Sequence, residues 1–145
     1  MEYASGTVGR VFLVRVDHGE DPLAAIAEVA EQEEVGAGLV LLLGALETGR
    51  MVEGPETLAF PPVPVATAFA DGREVLGIGN LTREEGRPVV HLHAATGRAG
   101  TTAVGCLRGD ARAYATVEVV LFELALGAVR RRDPATGISP ITFRP

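Results

Sequence analysis

The 145-residue chain has no tryptophan, no lysine and a single cysteine, and only 5% of it is aromatic. One cysteine cannot form an intramolecular disulfide, so the fold must stand on its core, and a reduced, cytoplasmic setting is expected. Scarce aromatics leave little for the base-stacking platforms of single-strand binders. Without lysine, all 13 basic residues are arginine, set against 19 acidic ones for a net charge of −6. Non-specific DNA affinity comes from a basic face that releases counterions, so direct tight DNA binding is not expected. The one basic cluster, VRRRD (Val129 to Asp133), reads as a solvated rim. Long apolar runs are missing too. The longest, GLVLLLGAL (Gly38 to Leu46), is about half of what a membrane-spanning helix needs. The opening MEYASGTVGRVF lacks the basic-then-apolar pattern of a secretory leader. No membrane partner is expected.

What remains is an ordinary folded composition, 47% hydrophobic and 22% charged, in a length that suits one domain over residues 1–145. In GTVGRVFLVRVD, Val8, Phe12, Val14 and Val16 fall on one side and Val11 and Leu13 on the other, the period of a strand. Next, DPLAAIAEVAEQEEVG predicts a long helix. Asp21 caps it, Pro22 takes its first position, Leu23, Ile26, Ala27 and Ala30 form its apolar stripe, and Gly36 lies past its end. AGLVLLLGALETGRMV predicts a strand buried on both faces, with Gly44 as a bulge or close-packing point. EGPETLAFPPVPV suits an edge or a connection, since proline cannot donate to a ladder. REVLGIGNLT and RPVVHLHAAT flank a hairpin signal, REEGRP, and AYATVEVVLFELAL predicts a long strand. The fold class expected is α+β: a mainly antiparallel sheet with one long helix.

The chemistry concentrates in VVHLHAATGRAGTTAVGCLRG (Val89 to Gly109), which holds two of the three histidines and the cysteine. Side chains two apart on a strand share a face, so His91 and His93 can converge on one point. With Cys106 they would make a His2Cys set suited to zinc. The same residues can instead line a ligand pocket without a metal, or simply pack. Glu118 is the other residue of note, because a carboxylate inside an apolar strand must be paired, exposed or functional. Beside the histidines it would serve as a base, a fourth ligand or a partner orienting an imidazole. Arg10 and Arg15 can pair with it, bind an anion or face solvent. His18, in the turn DHGED, is expected to be exposed.

Taken together, GRVFLVRVDHGEDPLAAI, GALETG, LGIGNLTREEGRPVVHLHAAT, VGCLRG, ATVEVVLFEL and RRRDPATG resemble the plants-and-prokaryotes-conserved (PPC) domain, in its order and at about its spacing. The resemblance implies an α+β fold akin to that of acetolactate decarboxylase, a metal-dependent lyase, and assembly as a homotrimer. The family carries a DNA-binding label through the AT-hooks of its plant members, and this chain has no Arg-Gly-Arg-Pro hook. The position matching Cys106 is usually histidine in a Gly-Gly-His-Leu stretch, and here the stretch is VGCL. Asn80, in GIGNLT, matches a characteristic Gly-Asn and would line the same cleft or satisfy a turn. His18 stands where the family often has proline. Three functions stay open. The first is a homotrimeric module for a small ligand or protein partner, and the second a regulator associated with DNA indirectly. The third is a lyase-like enzyme using zinc on His91, His93 and Cys106, with Glu118 as its acid–base group.

Overall fold

The computed structural model describes residues 1–143. Strand β1 (Thr7–Asp17) leads into helix α1 (Pro22–Gln32), and the rest of the chain is strand and turn: β2 (Gly38–Pro55), β3 (Pro64–Phe69), β4 (Arg73–Glu84), β5 (Arg87–Arg98), β6 (Thr101–Leu107), β7 (Arg112–Ala125), β8 (Ala128–Arg130) and β9 (Ile141–Phe143). The α+β expectation holds, weighted to β. The helix is short, eleven residues, which corrects the expectation of a long one. Its start is as predicted: the Asp21 carboxylate accepts from the Leu23 and Ala24 amides, and Pro22 sits at the first position. Its end comes earlier because Glu34, not Gly36, takes the left-handed conformation (φ 55°) that stops a helix.

All pairings but one are antiparallel, in the order β1-β7-β2-β6-β5-β4-β8-β9, with β3 on the edge of β2. Strand β2 is long enough to act twice. Its first half lies between β7 and β4, and its second half pairs with β3 and β6. Pairings β2–β4, β4–β5, β5–β6 and β6–β2 therefore run in a closed circuit. Gly44 stands at the bulge where β2 slips against β7. Its φ is 142°, and a Cβ there would lie 2.6 Å from the Thr116 carbonyl oxygen. The β4–β5 hairpin closes through Glu85 and Gly86, both at positive φ, the backbone a two-residue hairpin turn requires.

The two faces of the sheet differ. On one, Val40, Leu42, Leu92, Val117, Val119 and Leu121 pack with Ile26 and Ala30 of the helix, all essentially inaccessible. Each such aliphatic side chain contributes about 1.5–3 kcal/mol of burial. The opposite face has no covering element among the described residues. Leu13 of β1, Leu43 of β2, Leu76 and Ile78 of β4 and Val104 of β6 are 78%, 47%, 67%, 58% and 60% exposed. The GLVLLLGAL run is thus buried on one face only, because the chain has a single helix and it covers the other side. No helix among the described residues is long and apolar enough to cross a membrane.

Candidate metal centre

The uncovered face carries the chemistry. In register, Asn80 lies opposite His91, Ile78 opposite His93, and His93 opposite Cys106, so β4, β5 and β6 present these residues side by side. The two imidazoles meet edge to face, with ring centroids 5.1 Å apart. One ligand atom from each of His91, His93 and Cys106 falls within 4.8 Å of the others. Around a tetrahedral zinc, with bonds of about 2.0–2.3 Å, donors stand about 3.5 Å apart, a gap that small side-chain rotations would close. Gly105 lets this happen locally: a Cβ there would sit 2.5 Å from the Val52 carbonyl oxygen, so only glycine allows β6 to lie against β2 beside Cys106. The donor set fits zinc, two borderline nitrogens and one soft sulfur, with a fourth position left open.

The cluster lies in a cleft of about 570 Å³, walled by Val52, Pro62, Pro64 and Val104 and edged by Glu53 and Arg108. His91 is half-buried, and burial, followed by the positive charge of Arg130, His93 and Arg108, pushes its pKa below the ordinary value. It is held neutral, the form that ligates a metal. Burial raises the Cys106 thiol above its usual range, and Arg108 and Arg130 offset that only in part. Loading a metal must therefore displace the thiol proton.

Asn80 is brought to the site through a residue that the sequence reading assigned to a solvated rim. Arg130 donates from Nη2 to Asn80 Oδ1 at 2.8 Å, and the same nitrogen lies 3.4 Å from His91 Nδ1. Its Nη1 donates to the Ser139 carbonyl at 2.7 Å. The three-residue β8, paired in parallel with the end of β4, carries it there. A parallel return this short leaves no periodic mark in the sequence. Glu53 was also missed, in a proline-rich stretch read as a connection; Thr67 donates to its carboxylate across β2 and β3.

Glu118 is not brought to the histidines. It is exposed on β7, in register with Arg15 on one side and Leu43 on the other. Strands β2 and β4 separate it from β5, about 14 Å across the sheet at the usual strand spacing. Neither early arginine pairs with it. Arg10 forms ion pairs with Glu123 (2.7 Å) and Glu33 (3.0 Å), and Arg15 with Asp17 (2.8 Å). His18 is exposed, edge-on to Tyr114 with centroids 5.9 Å apart.

A mainly antiparallel sheet with one helix and a His2Cys cluster on its open face places the chain among small β-rich α+β domains with a candidate metal site. The description "Plants and Prokaryotes Conserved (PCC) domain" matches residues 3–125, and the chain belongs to that family. Among solved structures it is similar to a metal-containing protein from Archaeoglobus fulgidus, with a TM-score of 0.86 and 23% identity over 98% of this chain and 99% of that one. It is also similar to a plant- and prokaryote-conserved (PPC) protein from Pyrococcus horikoshii, with a TM-score of 0.81 and 23% identity over 100% and 99% of the two chains. A candidate DNA-binding protein from Bacteroides thetaiotaomicron gives a TM-score of 0.81 at 17% identity, over 95% and 97%. At these identities the likeness establishes the fold. Comparison of the sequence with curated proteins found no match.

Proposed function

We propose that the protein is a homotrimeric, cytoplasmic binding module that holds zinc on His91, His93 and Cys106 and receives a small ligand in the cleft above it. The observation that carries this reading is the convergence of three ligand atoms within 4.8 Å on one side of a cleft. The metal-containing relative from Archaeoglobus fulgidus supports it. The trimer accounts for the apolar face beside the cleft: Leu13, Leu43, Leu76 and Ile78 are too many to leave wet on a monomer, and copies of this chain would cover them. Light scattering would then give about 45 kDa, three times 15.1 kDa.

A lyase-like activity, drawn by analogy from the sequence resemblance to the acetolactate decarboxylase fold, is a second reading, favoured by a three-ligand cluster that lines a cleft and would leave a fourth position for a substrate. Bound zinc would supply Lewis acidity there, polarising a carbonyl. The chain would contribute Glu53 to hold or move a proton, since Glu118 is out of reach and Glu53 is the one carboxylate lining the cleft among the described residues. Association with DNA, the label of the Bacteroides relative, would be indirect, because the chain carries a net charge of −6 and five of its thirteen arginines, Arg10, Arg15, Arg73, Arg83 and Arg98, are paired with carboxylates.

The test is zinc per chain by elemental mass spectrometry, on untagged protein purified without chelator, beside Cys106→Ala. Near one zinc per chain, lost in the variant, is expected. No metal after incubation with excess zinc would sink the proposal.

A further inference from the structure

Arg108 and Arg130 differ from the arginines of the fold that ion pairs hold in place. Arg10, Arg73 and Arg83 each face a carboxylate at 2.7–2.8 Å. No carboxylate of the described residues pairs with Arg108 or Arg130, although Arg130 Nη2 lies 3.4 Å from His91 Nδ1 and Arg108 lines the same cleft as His91 and Cys106. Arg130 is committed to Asn80, His91 and the Ser139 carbonyl, and its Nε is buried without a hydrogen-bond partner among the described residues. Arg108 is exposed at the mouth of the cleft with its guanidinium fork unengaged by any described carboxylate.

This charge arrangement is odd for a site that holds only a cation. Two guanidiniums beside a divalent ion repel it, and the Cys106 thiolate and the Glu53 carboxylate leave a surplus of positive charge. An anion from outside the chain would offset part of it. His91, His93 and Cys106 line the same cleft that Arg108 edges, so a metal held by three ligands would have its fourth position within that cleft's reach, and a planar guanidinium matches a carboxylate with two parallel hydrogen bonds. The walls, Val52, Pro62, Pro64 and Val104, are apolar, and Glu53 on the rim opposes a dianion. A singly charged ligand with a short apolar body suits them better than inorganic phosphate.

We propose that the cleft binds a small organic carboxylate, one oxygen at the open metal position and the carboxylate paired with Arg108, while Arg130 supplies fixed positive charge behind His91. This rests on the zinc reading above, and the experiment separates the two. Cobalt(II) replaces zinc, because its visible bands report both a thiolate ligand and any change at the fourth position. The loaded protein is titrated with sodium acetate, with sodium phosphate and with sodium chloride at matched ionic strength. Acetate is expected to shift the ligand-field bands saturably. Arg108→Gln should weaken that response tenfold or more, with cobalt stoichiometry and the thiolate band unchanged, and Arg108→Lys should fall between. Arg108 is on the surface, so neither substitution threatens the core. A cobalt–thiolate band that acetate leaves untouched, or an acetate response equal in Arg108→Gln, overturns the carboxylate site alone. Tighter binding of phosphate than acetate overturns the choice of ligand. No cobalt–thiolate band at all removes the metal reading and this inference with it.

Discussion

Two clefts lie at opposite ends of the β5–β6 hairpin, and they differ in a way that size does not predict. The larger, about 900 Å³, is lined by Asp71, Arg73, Glu74, Arg98 and Tyr114. Its cations are engaged: Arg73 Nε meets Asp71 at 2.8 Å, Arg98 approaches the same carboxylate at 3.8 Å, and the Arg73 guanidinium lies over the Phe69 ring at 4.7 Å, while Glu47 and Glu74 leave the lining net negative. Arg73 holds the Asp71 carboxyl below its ordinary pKa. Such a network leaves no free guanidinium for an anionic ligand. The smaller cleft, about 570 Å³, contains a neutral half-buried histidine, a protonated buried thiol and arginines without carboxylates. Unmet chemistry marks a site more reliably than volume.

The smaller cleft lies on the uncovered apolar face, with Val104 in its wall, so the largest test bears on what covers that face. Leu41→Glu with Ile78→Glu places two like charges on adjacent strands, in register, in the middle of that face. If the proposed trimer forms through this face, it is expected to fall to a 15.1 kDa monomer in sizing with light scattering, because buried unpaired carboxylates cost more than the contact returns. A double variant that still sizes as the parent does would leave the face to some other partner.

Metal affinity sharpens the contrast between the clefts directly. Removing even an indirect partner of a metal ligand typically costs about 10–100-fold, so His93→Ala should weaken zinc by at least about 100-fold in a chelator competition. Arg73→Ala, at the larger cleft, should leave zinc affinity unchanged. Undiminished affinity in His93→Ala, or stronger binding in Arg73→Ala, would mean that zinc is bound by general acidity of the surface rather than by this cluster.

The pH dependence is smaller and has a fixed sign. His91 is already neutral near pH 7 and gives up no proton, whereas the raised Cys106 thiol must lose one. Zinc affinity should therefore rise about tenfold per pH unit between about pH 7 and 8.5. Cys106→Ala, which loses the thiol, should flatten that slope along with the affinity. A flat profile in the parent protein would remove Cys106 from the ligand set.

Much of this was legible in the chain. The Asp21 cap, the Glu85–Gly86 hairpin turn, the Gly44 bulge and the His-x-His pair are all local, written in residues a few positions apart. The unread parts are those set by strand order. Placing Glu118 away from the histidines required knowing that β2 and β4 stand between β7 and β5. Placing Arg130 beside Asn80 required the parallel return of β8, a three-residue element. The GLVLLLGAL run was misread for a related reason: an unbroken apolar pattern does not say which face the chain's own elements cover, and Leu39, Leu41 and Leu43 are left partly exposed.

The smallest expected effect isolates Arg130. In Arg130→Gln the side chain can still donate toward Asn80, but the charge behind His91 is gone. The His91 titration followed by NMR should move upward, and it should stop short of the ordinary value, because burial is the larger cause of the shift and stays in place. The sign carries into stability. A histidine whose folded pKa lies below its unfolded value contributes stability above the unfolded value, about pH 6.5, and loses it as pH falls through the folded one. Metal-free parent protein should thus lose stability on acidification over that window, and Arg130→Gln should lose less. Arg73→Ala should leave the His91 titration where it is, since its charge is spent on Asp71 at the far cleft. An unmoved His91 in Arg130→Gln would show that burial alone keeps the imidazole neutral, and that the uncancelled charge lies with Arg108.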